Sequence, residues 1–222
     1  MRDLTENTPK PLLEVSGRPL LSYVIEKLLK ETSGNIYVAS GYLKEKLKVY
    51  LNELNNERVH YIPQPENIEI AERIRRVMPY ISSKELIFCN SDTIYSHDIS
   101  QQFTELKKSN CGVCVLSGSF PIFLGTFLAN SPHNEFLRHR YASRAYDSNG
   151  EEIKVNVGMT FINKSFLQRM FEEFDSEFEN QFETYIFNKA IKEKTFTFYD
   201  CHENWFCCDT PEDLEKASNF FC

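Results

Sequence analysis

Met1-Arg-Asp-Leu-Thr-Glu-Asn-Thr-Pro-Lys10-Pro-Leu-Leu-Glu-Val-Ser-Gly-Arg-Pro-Leu20 opens the chain. Arg2 and Lys10 stand in a Thr/Asn/Pro-rich segment with no helical or strand period. Pro9 and Pro11 flank Lys10 and predict a stiff, extended backbone, because proline fixes its own φ and biases the residue before it toward extended conformations. An ammonium held that way loses little entropy on meeting an anion, so the segment reads as a phosphate-handling loop. The plainer alternative is a solvated, proline-rich tail. The residues after it favour the loop: Leu12, Leu13 and Val15 lead to Gly17-Arg18-Pro19, and apolar residues then recur at 20, 21, 24, 25, 28 and 29, the spacing of one helix face. Gly34 is the expected stop of that helix.

Two periods alternate after it. Ile36–Ser40, Val59–Pro63 and Leu86–Asn90 are strand-like, and residues 41–51 and 68–81 are helix-like. Their spacing, about 20 to 25 residues, is what parallel strand–helix–strand units require, so the first half predicts a doubly wound, Rossmann-like sheet. Ligands of such sheets bind at the carboxyl ends of strands. Asp92 sits at such an end, although an Asp there also serves as a turn or cap residue. Neighbouring Asp98 and His97 read as helix-capping and surface residues.

The second half breaks the alternation. Cys111 to Ser117 is a buried-type strand. The irregular stretch 118–140 contains His133-Asn134-Glu135 and Arg138-His139-Arg140, which are candidate metal or phosphate groups or else solvated loop residues. Residues 141–146, the turn Asp147-Ser-Asn-Gly150 and residues 153–162 predict a β-hairpin. Residues 165–174 and 178–192 are helix-like, with Glu183 either near a ligand pocket or on a solvated face, and residues 195–199 form a late strand. Thr210-Pro211-Glu212-Asp213 carries a capping threonine, a first-turn proline and an acidic residue three positions on, the pattern of a helix start. Cys201, His202, Cys207 and Cys208 are zinc-binding residue types, but adjacent residues on a strand point to opposite faces.

The 222 residues, 41% hydrophobic, suffice for one substantial core and predict a single domain over 1–222. Aromatic residues make up 14% of the chain, enough for a filled interior and for a homo-oligomeric surface. A net charge of −7 argues against a nucleic-acid partner, which needs a basic face. No apolar run reaches the roughly 18 to 20 residues of a membrane span, and no leader precedes the domain, so a cytoplasmic location is expected. Seven scattered cysteines fit reduced thiols better than a disulfide framework.

Residues 2–25, R-D-L-T-E-N-T-P-K-P-L-L-E-V-S-G-R-P-L-L-S-Y-V-I, resemble the N-terminal signature of nucleotidyltransferases that make activated sugars and alditols from an NTP and a phosphomonoester. That family begins with a short strand and a G-x-G-(T/S)-R turn. The resemblance therefore implies an α/β, Rossmann-like doubly wound mixed sheet of nucleotide-diphospho-sugar transferase type, N-terminally truncated. Cys89-Asn-Ser-Asp-Thr-Ile-Tyr95 is similar to the family's G-D-x-I-F segment, which implies that Asp92 binds Mg²⁺, with Ser91 in place of Gly. Gln64 stands where the family reads the nucleobase, and Glu69 where a small residue is expected. Asn156-Val-Gly158-Met-Thr-Phe-Ile resembles the sugar-contacting N-x-G-(I/M)-x-x-F. The family's Glu-Lys-Pro stretch is not recognisable, and Glu152 and Lys154 are its weak stand-ins. Trp205 to Leu214 resembles W-(F/Y)-D-I-(D/G)-T-P-E-D-L. Cys207 falls at the second metal carboxylate, which leaves Asp209 as the candidate ligand. The resemblance thus assigns Lys10 and Arg2 to the triphosphate and Asp92 and Asp209 to the metal. Gln64 goes to the base, and Asn156 and Gly158 to the sugar or alcohol. The alternative is a binding or regulatory domain that kept this fold without turnover.

Overall fold

The computed structural model describes residues 2–108, 112–118, 126–128, 136–137, 153–174, 182–201 and 205–221. Helix α1 (Arg2–Thr5) is followed by one 3-10 turn at Lys10–Leu12 and by an antiparallel ribbon of β1 (Glu14–Val15) and β2 (Arg18–Pro19). Its two-residue turn places Ser16 and Gly17 at φ 49° and 73°, the left-handed pair that matches the twist of flanking strands. Next come α2 (Leu20–Glu31), β3 (Ile36–Ser40), α3 (Lys44–Leu54), β4 (Val59–Pro63), α4 (Ile70–Val77), β5 (Glu85–Cys89), β6 (Thr93–Tyr95) and α5 (Ile99–Lys108). The second half holds β7 (Val113–Gly118), β8 (Thr126–Leu128), β9 (Phe136–Leu137), β10 (Ile153–Asn163), α6 (Lys164–Glu173), α7 (Phe182–Lys192), β11 (Phe196–Cys201), β12 (Trp205–Cys207) and α8 (Pro211–Phe220).

The chain folds into two compact units. One comprises Met1–Ser82, Ser91–Ser96 and Trp205–Cys222, the other Ser83–Asn90 and His97–Asn204. In the first, β3 and β4 pair in parallel and β6 pairs antiparallel with β12. Helix α2 supports both pairs. Leu20 joins Leu13, Val15, Ile94, Cys208 and Ala217 in one apolar cluster, while Leu21 and Ile25 join Leu47 and Leu51 in another. Its expected apolar face is thus shared between two cores. The helix ends at Thr32, whose hydroxyl donates to Leu28 O at 2.7 Å, and not at Gly34: the threonine satisfies a terminal carbonyl before the glycine is reached. Strand β3 is half-buried along its length, where its apolar sequence predicts full enclosure.

The second unit is built on a mixed sheet in the order β11-β7-β10-β8-β9, with β5 also paired to β10. Strands β7 and β11 are parallel and the other pairs antiparallel. Strand β7 is buried from Val113 to Ser117, as a strand covered on both faces must be. The third predicted strand, β5, pairs antiparallel with β10 rather than extending the parallel β3–β4 pair: the apolar pattern of a fully paired strand specifies burial but not its neighbour. Along one edge, β10 pairs first with β8 over Ile153–Val155 and then with β5 over Met159–Asn163. On its other edge the register against β7 shifts between Asn156 and Thr160. The first strand of the predicted hairpin and its Asn-Gly turn lie outside the described residues, as do both His-containing stretches of 133–140, Glu152 and His202.

Candidate active site

Lys10, Asp92 and Asp209 converge in the first unit. Buried Pro9 has φ −62° and ψ 139°, and Lys10 starts the 3-10 turn that Leu13 N closes on Lys10 O at 3.1 Å. The extended backbone expected at Lys10 is therefore confined to Pro9, because proline constrains the residue before it only statistically. The segment is also no loose tail. Tyr42 Oη donates to the carbonyls of Thr5 and Glu6 at 3.1 and 3.2 Å, and Lys46 Nζ donates to Asn7 O.

Asp92 lies just before β6 and Asp209 just after β12. The β6–β12 pairing, with Cys207 opposite Thr93, sets the two carboxylates side by side, and Cys208 N donates to Asp92 O at 2.9 Å. The capping box of α8 fixes the backbone directly after Asp209. Asp213 N donates to Thr210 Oγ1 at 3.2 Å, and Asp213 Oδ2 accepts from Thr210 N at 2.9 Å. Lys10 Nζ donates to Asp92 Oδ2 at 2.6 Å and to Asp209 Oδ1. Burial alone would lower the Lys10 pKa, but its hydrogen bonds to Asp209 and Asp92 and their charges outweigh that and push it up to about 12. For Asp209, burial acts upward, and the Lys10 hydrogen bond and charge hold the carboxyl below its usual value.

Cys207 Sγ lies 3.3 Å from Asp209 Oδ2. Burial first, and then the charges of Asp209 and Asp92, push its thiol up to about 12, so it stays protonated and donates to the carboxylate. Among the described residues no group of three or more His, Cys, Asp or Glu is arranged to hold a metal ion.

Gln64 follows β4 in the same unit. It is 2% exposed, and neither its side-chain oxygen nor its nitrogen has a hydrogen-bond partner among the described residues. Buried amides are satisfied by protein, water or ligand, so this one marks a position where a partner is due. Its backbone N–H donates to Ser40 O at 2.9 Å, joining the carboxyl ends of β3 and β4. Gly41 completes the junction, since a Cβ there would lie 2.7 Å from Glu66 Cα. Glu69 is the exposed N-cap residue of α4, with no capping hydrogen bond from its side chain. Arg2 opens α1.

Asn156 and Gly158 belong to the second unit. Asn156 Oδ1 accepts from Gly158 N at 2.9 Å, and its Nδ2 donates to Glu183 Oε1 at 3.1 Å. Gly158 has φ 81°, and a Cβ there would meet Asn90 Nδ2 at 2.5 Å. Glu183, half-buried on α7, is thus a hydrogen-bond partner of the candidate residue Asn156. Sequence reasoning missed the pairing of Lys154 with Asp200 across the sheet, where Lys154 Nζ donates to Asp200 Oδ2 at 2.6 Å. The available signal was the two-residue step from Lys154 to Asn156, which puts both on one strand face. His97, expected at the surface, is 1% exposed, while Asp98 caps as expected by accepting from Ser100 N at 2.8 Å. A polar residue just before a helix does not reveal which way its side chain turns.

No family model matches the chain. It is similar to the bifunctional protein GlmU of Methanococcus vannielii, 32% identical over 228 aligned positions that cover 98% of this chain and 51% of that protein. It also resembles the D-glycero-alpha-D-manno-heptose 1-phosphate guanylyltransferase of Aneurinibacillus thermoaerophilus, 21% identical with 98% and 91% covered. The chain spans about half the length of the GlmU relatives it matches from end to end. Among solved structures, a Bacillus anthracis protein described as a candidate glucose-1-phosphate thymidylyltransferase superposes with a TM-score of 0.83 at 17% identity, covering 99% of this chain and 89% of that one. The chain thus has an α/β fold of nucleotide-diphospho-sugar transferase type and is similar, along nearly its whole length, to curated proteins that include a heptose 1-phosphate guanylyltransferase.

Proposed function

We propose that the chain is the nucleotidyl-transfer domain of an enzyme that joins an NTP to a phosphomonoester, with a sugar 1-phosphate as acceptor. A phosphate oxygen of the acceptor attacks the α-phosphorus, the bond from the α-phosphorus to the bridging oxygen breaks, and pyrophosphate leaves with that electron pair. No covalent intermediate is needed, so positioning and charge neutralisation supply the rate. The observation that carries the reading is the meeting of Lys10, Asp92 and Asp209, a cation and two hard carboxylates on one spot. Lys10, with Arg2, would hold the triphosphate, Gln64 the base, and Asn156 and Gly158 the acceptor.

The donor set fits magnesium. Asp92 and Asp209 each bring an oxygen to one ammonium, so a single cation can touch both. Two carboxylates completed by substrate phosphates and water is a usual magnesium arrangement. Magnesium held there would neutralise charge on the phosphate oxygens. The Cys207 thiol, protonated and soft, would take no part. We place the protein in the cytoplasm. Cys89, Cys114, Cys201, Cys207 and Cys208 are free thiols, and among the described residues no helix is long and apolar enough to cross a membrane.

Cys207 beside Asp209 also favours a second reading, a domain that binds nucleotide without turning it over. A panel of CTP, UTP, GTP and dTTP against several phosphomonoesters, read by pyrophosphate release, tests both. Turnover with one pair establishes the enzyme. Nucleotide binding without turnover favours the second reading, and neither binding nor turnover rejects both.

A further inference from the structure

Each carboxylate beside Lys10 divides its two oxygens between different partners. Asp209 Oδ1 accepts from Lys10 Nζ, while its Oδ2 accepts from the Cys207 thiol at 3.3 Å. Asp92 Oδ2 accepts from Lys10 Nζ at 2.6 Å, while its Oδ1 faces the Thr93 hydroxyl at 3.5 Å. Thr93 and Cys207 stand opposite one another in the β6–β12 ladder, so the pairing that brings the carboxylates together also sets these two neighbours. One oxygen of each carboxylate is left to meet the other at a single point, and the ammonium holds that point.

A divalent cation shared by Asp92 and Asp209 needs the same two oxygens, because at the other two it would meet the thiol and hydroxyl protons. Two positive charges repel strongly at such a distance, so Lys10 must withdraw before a metal can bridge the pair. Its side chain permits that movement. The backbone is pinned by buried Pro9, by Pro11 and by the 3-10 turn, whereas the ammonium rides on a flexible four-carbon stem. Asp209 is 53% exposed, so the cluster opens to solvent on its side. Withdrawal forfeits two charged hydrogen bonds unless another anion receives the ammonium, and a polyphosphate is such an anion.

We propose that Lys10 is an exchangeable counter-ion, which closes the Asp92–Asp209 pair to a divalent cation until a polyphosphate takes the ammonium. Metal and nucleotide then bind with positive coupling, and each strengthens the other by the same factor. A lysine that never engaged the carboxylates, or a metal site indifferent to Lys10, gives no such link. The proposal rests on the nucleotidyl-transfer reading for the identity of the receiving anion and adds the order in which the site is opened.

The test uses the full chain with Mn²⁺ as the metal probe, its binding read by electron paramagnetic resonance. Without nucleotide, Lys10→Met should bind Mn²⁺ at least about tenfold more tightly than wild type, because the competing charge is gone. Lys10→Gln, neutral and still able to donate a hydrogen bond, should do the same and decides the matter if Lys10→Met does not fold. Adding Asp209→Asn to either variant should cancel the gain. The α,β-methylene analogues of CTP, UTP, GTP and dTTP are then titrated with and without Mn²⁺. The factor by which Mn²⁺ tightens analogue binding should fall at least about tenfold from wild type to the Lys10 variant. Mn²⁺ binding by the Lys10 variants no tighter than by wild type, or an unchanged coupling factor, overturns the proposal and leaves the nucleotidyl-transfer reading standing. Failure of every analogue to bind wild type, with or without Mn²⁺, rejects that reading and the proposal with it.

Discussion

Lys10 Nζ lies 2.6 Å from Asp92 Oδ2 although 82 positions separate the two residues in the chain. Helix α2 packs against both the 3-10 turn and β6, and Leu20 shares one apolar cluster with Leu13 and Ile94, so the two segments are held together. Asp209, which arrives from the far end of the chain through β12, completes a group of two negative charges and one positive.

Removing either partner is expected to remove turnover. Lys10→Met and Asp92→Asn should each lower kcat by about 10²- to 10³-fold or more, the usual effect of deleting one preorganised electrostatic group. Pyrophosphate release by the variants, with folding checked by circular dichroism, provides the measurement. Activity unchanged in Asp92→Asn would remove that carboxylate from the site.

The charged trio defines a pH window. The folded-state pKa of Lys10 is raised to about 12, so its contribution is complete below the ordinary value of 10.5 and is lost as pH rises through 12. That of Asp209 is lowered, so its contribution is present above the ordinary 3.8 and is lost as pH falls through the depressed value. The Tm difference between wild type and Asp209→Asn should stay level from about pH 5 to 9 and shrink in acid. A difference that grows as pH falls below 4 would contradict the pairing.

Gln64→Leu should separate stability from binding. The buried amide has no partner among the described residues, so an apolar side chain of similar size is expected to leave the unliganded protein as stable or more so. Affinity for nucleotide should fall at least about tenfold, because the base loses its hydrogen bonds. Urea denaturation and nucleotide titration together check this, and a destabilised variant with normal affinity would reverse it.

Thr210→Ala removes the N-cap that accepts from Asp213 N. A loss of about 1 kcal/mol is expected, which corresponds to roughly 2 to 4 °C in Tm for a chain of this size. Asp209 directly precedes the cap, so thermal unfolding and pyrophosphate release should decline together. Thr210→Ser, which keeps the acceptor, should restore both.

Gly158→Ala must place a side chain at φ 81° and against Asn90. A cost of about 1 to 3 kcal/mol is expected from the backbone alone. Gly34→Ala, where a Cβ meets nothing within 4 Å and φ is not positive, serves as the control and should be near neutral. Equal urea midpoints for the two variants would deny Gly158 its special conformation.

The sequence by itself determined the elements whose causes are local. The apolar spacing of α2, the parallel-type strands Ile36–Ser40 and Val59–Pro63, and the Thr210–Asp213 capping box all depend on residues within a few positions of one another. The resemblance to nucleotidyltransferases was legible for the same reason, because the matching stretches are contiguous. Tertiary structure alone decided which strand became the neighbour of Glu85–Cys89, that His97 turns inward, and that Lys154 finds Asp200. It also brought Lys10, Asp92 and Asp209 to one point and left the Gln64 amide buried with nothing to bond among the described residues. Strand pairing and side-chain burial depend on residues tens to hundreds of positions apart. Periodicity states that a face is to be covered, and only the packed fold chooses what covers it.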